Sequence, residues 1–330
     1  MNYKELNSAF KKINNWYENR NKVLTIKTRP FNTSIVFSNL INKILYDNGK
    51  ILYVWGCTDK EYIKKKKTEY YNILIGEQEK KHVGDNIKFI TIDSLSEIYD
   101  EFDLVILDDI TIFSSISKGE LREAVEDVYW RSRKIIIYST EYIFPIGSKM
   151  ELVYLLDKVP MIEPRFILTR IRLEEDIPLA LYEYLKWFKK NKKRVLIVVP
   201  SEYQLNKVYN NYYHTLKNDD IRVIKYVKEQ KFKFIEDILE GYSDSVFIVT
   251  NSIGNYINYI EDLNIVMLFS DNEFYSYKDI IYLCGSLKVS NKFLPEILLV
   301  SKEISDDMDE SKKIARGFNQ KLWERKLLKR

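Results

Sequence analysis

Ten short runs that are nearly all apolar and rich in Val, Ile and Tyr punctuate the chain, and stretches with apolar residues at helical spacing separate them. Residues 23–27, 51–55, 88–92, 104–107 and 135–139 form a first set, and 195–199, 221–224, 246–249, 265–269 and 297–300 a second. Four or five apolar residues in a row, without polar alternation, fit a strand buried on both faces, as in a parallel sheet covered by helices. Helical patterning covers 1–20, 33–46, 120–130, 179–190, 201–216 and about 309–329. This alternation predicts βαβ units and an α/β fold with two parallel sheets of about five strands each.

Four of the seven prolines, Pro145, Pro160, Pro164 and Pro178, interrupt the alternation between 144 and 178. The expected organisation is therefore a first domain over 1–150, a linker over 151–178, and a second domain with a C-terminal helix over 179–330. A chain of 330 residues exceeds what one hydrophobic core usually organises, which agrees with two domains.

Composition narrows the chemistry. With 45% hydrophobic and 30% charged residues the chain is globular, and no apolar run approaches the roughly 18 residues needed to cross a bilayer. Residues 1–20 lack the apolar region of a signal peptide, so a cytosolic protein without membrane insertion is expected. Cys57 and Cys284 lie in different halves with only His82 and His214 beside them, which disfavours a Cys/His metal site. No two of the ten glycines are closer than seven positions, whereas a dinucleotide fingerprint needs them two and three apart and a phosphate loop five apart. The net charge of +4 and pI of about 8.6 permit nucleic-acid binding without implying it. The basic runs 64–67 and 186–194, the latter flanking Trp187 and Phe188, can contact phosphates and bases, or can simply be solvated helix ends that complement a helix dipole.

The segment Phe102-Asp103-Leu104-Val105-Ile106-Leu107-Asp108-Asp109 places two adjacent carboxylates at the C-terminal end of a buried strand, where open α/β sheets bind ligands. In ATPases an Asp there positions Mg²⁺ and an acidic neighbour orients water. Acidic residues also end many strands in plain loops, so the pair alone is a weak signal. A second buried strand ends in Ser139-Thr140, and a third in Thr250-Asn251; these residues equally read as caps of the turns that follow.

In this order the segments resemble superfamily two helicases, and most closely the ComFA family, the helicase-like ATPases of DNA uptake in competent bacteria. Residues 105–109 look like the acidic motif two, and Ser139-Thr140 like the Ser-Ala-Thr motif that couples ATP to DNA. Pro164-Arg165-Phe166 looks like the proline-containing linker, and 193–200 like motif four. Thr250-Asn251 falls at the start of motif five, 282–290 at motif six, and the tail resembles the family's last strand and helix. The resemblance covers roughly residues 20–325. It implies two RecA-like domains in tandem, a helicase core whose cleft holds ATP and Mg²⁺ in active members, with Asp108 the metal ligand. It also implies single-stranded DNA and a ComFC-like protein as candidate partners, DNA contacts at Ser139, Thr140, Thr250 and Asn251, and a place beside the membrane DNA-uptake apparatus.

The departures from the family pattern fall on every charged contact to nucleotide. The phosphate loop Thr-Gly-Ser-Gly-Lys-Thr aligns with Thr28-Arg29-Pro30-Phe31-Asn32-Thr33, so both glycines and the lysine are gone and Pro30 has no N–H to offer. The Arg-Gly of motif five aligns with Asn255-Tyr256, and the two arginines of motif six with Ser286 and Val289; an arginine finger is worth about a thousandfold or more in rate. Asp109 replaces a glutamate, and the family's cysteine-rich zinc module is absent. The expectation is a degenerate phosphate loop at Thr28, Asn32 and Thr33, a remnant motif two at Asp108 and Asp109, and no cofactor. The protein then reads as a pseudo-ATPase that binds nucleic acid or a protein partner. The competing readings are an active ATP-driven single-stranded DNA translocase with an unconventional phosphate site, and a scaffold that binds no nucleic acid.

Overall fold

The computed structural model describes residues 3–57, 67, 70, 72, 86–114, 116–145, 147–153, 159–217, 221–227, 245–254, 257–258, 260–287 and 294–325. Residues 64–66 of the lysine run, Asn255, Tyr256 and Val289 lie outside them. The chain divides into two compact units, Met1–Lys158 with Lys321–Arg330, and Val159–Gln320.

The first unit opens with helix α1 (Tyr3–Glu18) and strand β1 (Val23–Thr28), followed by a 3-10 turn (Ser34–Phe37) that runs into α2 (Ser38–Tyr46). Strands β2 (Ile51–Trp55), β3 (Ile87–Thr91) and β4 (Phe102–Asp108), helix α3 (Lys118–Tyr129), β5 (Ser132–Ser139) and β6 (Ser148–Leu152) complete it. All pairings are parallel, in the order β3-β2-β4-β5-β1-β6. Side chains alternate across a strand, so each apolar run fills two cores at once. Ile51, Tyr53 and Trp55 of β2 pack with Leu104 and Ile106 of β4 and with α1 and α2 on one face. Leu52, Val54, Val105 and Leu107 pack with α3 on the other. The Ser117–Glu120 capping box starts α3, each side chain bonding the other's backbone amide.

The second unit repeats this grammar with β7 (Arg165–Leu168), α4 (Leu179–Lys190), β8 (Arg194–Val198), α5 (Glu202–Lys217), β9 (Arg222–Tyr226), β10 (Val246–Thr250), β11 (Leu263–Leu268), α6 (Tyr277–Ser286), β12 (Ile297–Ser301) and α7 (Asp306–Glu324). Its sheet is again all parallel, in the order β7-β12-β11-β8-β10-β9. Leu181, Leu185 and Phe188 of α4 and Leu205, Val208, Tyr212 and Leu216 of α5 cover one face.

Each sheet has six strands where about five were expected. The additions are the edge strands β6 and β7, and β7 lies inside the 151–178 stretch read as linker. The helix expected over 33–46 begins as a 3-10 turn and becomes α-helical only at Ser38.

Candidate functional site

The C-terminal ends of β1, β4 and β5 lie side by side, with β5 between the other two. They bring together Thr28, Asn32 and Thr33, the Asp108-Asp109 pair, and Ser139-Thr140. A hydrogen-bond network of the chain's own donors and acceptors fills this edge.

Asp108 ends β4 and is almost wholly buried. One carboxylate oxygen, Oδ1, accepts from the backbone amides of Ile110 and Thr111, each at 3.1 Å. The other, Oδ2, accepts from the Tyr53 hydroxyl, one strand away on β2, and from the Thr111 hydroxyl. Four donors thus converge on one carboxylate. Burial pushes its pKa above the ordinary aspartate value, and the bonds from Thr111, Tyr53 and Ile110 pull it back down. Burial also raises the Tyr53 phenol far above its usual range, so Tyr53 stays protonated and serves as a donor.

Asp109 is equally buried. Its Oδ1 accepts from the Ser114 hydroxyl at 2.6 Å and its Oδ2 from the Ser139 hydroxyl at 3.2 Å, and its amide donates to the Tyr138 carbonyl at 2.9 Å. Gly56, just past β2, closes this cluster. A Cβ there would stand 2.8 Å from Asp109 Oδ1 and 3.0 Å from Ser114 Oγ, so only glycine fits without displacing that bond.

The segment aligned with a phosphate loop is likewise turned inward. Asn32, in the lysine position, is buried and donates through Nδ2 to Thr28 Oγ1 at 2.7 Å, while its Oδ1 accepts from the Thr33 amide at 2.9 Å. The Phe31 amide donates to the Ile110 carbonyl at 2.7 Å, and the Ile35 amide to Thr33 Oγ1 at 3.2 Å. Phe31 holds φ at +57°, a left-handed conformation that favours glycine and costs a bulky residue about 1–2 kcal/mol. The backbone at position 31 therefore has a turn shape that glycine would adopt without that cost. Tyr138 ties the loop down from β5: its hydroxyl donates to the Thr33 carbonyl at 3.0 Å, and its ring meets Phe37 edge-on at 4.9 Å.

Gripping a Mg²⁺-bound triphosphate requires free amides and a cation at the loop, and a carboxylate oxygen turned to the metal. The amides of Phe31, Thr33 and Ile35 are bonded within the chain, Asn32 brings no charge, and both oxygens of Asp108 hold protein donors. These residues do not fit that group. Among the described residues, no three His, Cys, Asp or Glu side chains converge on a metal position either.

Ser139 and Thr140 are buried, and Ser139 is committed to Asp109. Thr250, at the end of β10 in the second unit, is buried with its hydroxyl accepting from the Ser252 amide at 3.0 Å; Asn251 beside it is half-buried. Ser286, aligned with a finger arginine, is buried on α6 and donates back to the Leu283 carbonyl at 2.9 Å. Lys189 and Lys190 of the 186–194 run form the last turn of α4, where cations complement the helix dipole. Sequence reasoning did not single out Tyr53, Thr111, Ser114 or Gly56. Register was the one signal for Tyr53: β2 runs beside β4 with Trp55 opposite Asp108, so a tyrosine two residues back faces the same side.

No protein-family model and no curated protein sequence matches the chain. Solved structures do. The DUF1998 helicase MrfA bound to DNA aligns with 97% of this chain and 51% of its own, at 14% identity and a TM-score of 0.53. Mss116p bound to single-stranded RNA and AMP-PNP aligns with 95% of this chain and 75% of its own, at 11% identity and a TM-score of 0.55. For the Escherichia coli DEAH/RHA helicase HrpB the values are 92%, 43%, 11% and 0.52. The chain spans about half the length of MrfA and less of HrpB. At these identities the likeness is one of fold: the chain is built as two RecA-like α/β units, the fold that these helicase structures share.

Proposed function

We propose that this protein is a helicase-fold pseudo-ATPase, related to the ComFA family, whose nucleotide site has become a hydrogen-bonded part of its core and which acts by binding single-stranded nucleic acid. One observation carries the reading: the Asp108 and Asp109 carboxylates are taken up by Tyr53, Thr111, Ser114, Ser139 and the Ile110 amide, and the loop amides of Phe31, Thr33 and Ile35 by the Ile110 carbonyl and the Asn32 and Thr33 side chains. Opening the site would break several buried hydrogen bonds, each about 1 kcal/mol net and more where a carboxylate accepts. Asn32 offers no charge to the incoming phosphates in return. Nucleic-acid binding draws its support from the fold shared with MrfA, solved on DNA, and Mss116p, solved on RNA. The competence setting and a ComFC-like partner rest on the sequence resemblance.

Two measurements test the reading. Calorimetric titration with ATP and Mg²⁺ is expected to show no binding tighter than millimolar, and micromolar affinity overturns the pseudo-ATPase assignment. Fluorescence anisotropy with a labelled oligothymidine is expected to show binding that weakens steeply with salt. No binding at low salt overturns the nucleic-acid assignment and leaves a protein scaffold.

A further inference from the structure

At the N-terminal end of the first sheet, away from the aspartate network, a cleft of about 400 Å³ opens between the start of β1, the last turns of α3 and the residues that precede β6. Its walls are apolar: Val23 from β1, Val125 and the Tyr129 ring from α3, and Phe144. Val125 belongs to the core cluster on this face of the sheet, and Val23, Tyr129 and Phe144 are half-buried against it, so the cleft continues that core outward. Two hydrogen bonds hold the walls in place. Asn21 donates through Nδ2 to Ser148 Oγ at 2.9 Å, and Arg122 of α3 donates through Nε to the Ile143 carbonyl at 3.1 Å. Gly147 stands against Val23 with φ at +96°; a Cβ there would lie 4.0 Å from Val23 Cβ, so that side of the cleft carries no side chain of its own.

One cation borders this apolar space. Lys22 is half-buried, with its ammonium 4.4 Å from the centre of the Tyr129 ring. Burial lowers its pKa below the ordinary lysine value, and Glu126, exposed at the rim of the cleft, does not offset that shift. The ring face attracts the ammonium but takes up at most one of its three N–H donors. A neutral apolar molecule in the cleft would leave the others unanswered, and a di- or triphosphate would meet one cation where it needs several. A small aromatic monocarboxylate matches both features: its ring packs against the apolar walls, and its carboxylate accepts from the ammonium. The volume lies in the range of small-molecule sites. We infer that the β1–α3 cleft is a binding site for a small aromatic monocarboxylate, seated among Val23, Val125, Tyr129 and Phe144 and paired with Lys22. The cleft lies at the other end of β1 from Thr28, so the inference does not depend on the nucleotide or the nucleic-acid reading.

The experiment uses the full-length protein and two probes of one shape, phenylpropionate and its neutral amide, with methyl NMR of valine-labelled protein to locate binding and calorimetry to measure it. Phenylpropionate is expected to shift the methyl signals of Val23 and Val125 and to bind about tenfold more tightly than the amide, the scale of one charge-assisted hydrogen bond. Lys22→Met keeps the apolar stem and removes the charge. Lys22 joins the sheet through its backbone carbonyl, which accepts from the Ile135 amide at 2.9 Å, so the variant should keep the circular dichroism spectrum of wild type. It is expected to bind phenylpropionate about tenfold more weakly and the amide nearly as before. Phenylalanine adds an ammonium to the same acid and should bind no better. Unmoved Val23 and Val125 signals at millimolar phenylpropionate, or equal affinity of wild type and Lys22→Met for it, overturn the assignment. Tighter binding of phenylalanine, lost in Glu126→Gln, overturns the monocarboxylate class and makes the ligand a zwitterion held at both Lys22 and Glu126.

Discussion

Asp108 shows how the same residue can serve opposite ends. At the end of a parallel strand a carboxylate is placed to hold a metal, and here Tyr53, Thr111 and two backbone amides hold it instead. Asp108→Leu removes the acceptor and leaves four donors unpaired, those of Tyr53 and Ile110 buried and the two of Thr111 half-buried; a loss of about 3–5 kcal/mol is expected in urea denaturation. Asp108→Asn keeps the oxygen that accepts from Ile110 and Thr111, and the two hydroxyls can rotate to accept from the new amide. Its cost should be about 1–2 kcal/mol. The two variants also differ from wild type in pH dependence. Burial raises the Asp108 pKa, so the folded state holds this proton to higher pH than the unfolded state, and wild type loses stability as pH rises through that interval. Asp108→Asn has no such titration, so its stability relative to wild type should improve as pH rises from the ordinary aspartate range; an unchanged difference shows that Asp108 titrates normally. The acidic pair at the strand end was legible in the sequence. The fate of the pair was not, because its partners come from elsewhere: Tyr53 sits inside an apolar run and reads as core, and Ser114 and Thr111 read as loop.

At the scale of elements, a buried cation secures the join between α1 and the first sheet. Lys134 points from β5 to the C-terminal end of α1, where its ammonium donates to the carbonyls of Asn19 and Asn21 and approaches that of Trp16. Its ammonium also lies 5.2 Å from the centre of the Trp16 ring. A helix end presents unsatisfied carbonyls and a partial negative charge, so one lysine answers both needs. Lys134→Met keeps the bulk and removes the donor. It is expected to cost about 2–3 kcal/mol and to raise hydrogen exchange in the last turn of α1 before the sheet opens; uniform exchange across both would show that the lysine is not the tether. Sequence patterning found ten of the twelve strands: the eight interior ones because burial on both faces leaves an uninterrupted apolar run, as at Ile51–Trp55, and the edge strands β3 and β9 because Val223, Ile224, Phe89 and Ile90 still give short apolar runs. It missed the other two edge strands, β6 and β7, because one-sided cover there coincides with a weak apolar signal: Ser148–Leu152 reads Ser-Lys-Met-Glu-Leu, and Arg165–Leu168 is largely solvent-facing in a proline-rich stretch.

Across the whole molecule, the two units carry separate cores. The clusters that fill the first sheet draw on residues between Leu6 and Leu152, and the cluster on α4 and α5 draws on residues between Ile167 and Val300. A fragment over 159–320 is one continuous stretch with its own six-stranded sheet, so it is expected to fold alone and to unfold in a single cooperative urea transition. A fragment over 1–158 gives up the Lys321–Glu151 ion pair, which is partly exposed and so worth little. It too should fold. The pair of fragments then locates nucleic-acid binding within the chain. The aspartate network of the first unit is committed to its own core. Oligonucleotide binding, with most of its salt dependence, is therefore expected to travel with 159–320 and to be weak or missing in 1–158. Binding that follows the first fragment, while the second is folded and inert, would move the nucleic-acid surface to the unit that holds the aspartate network.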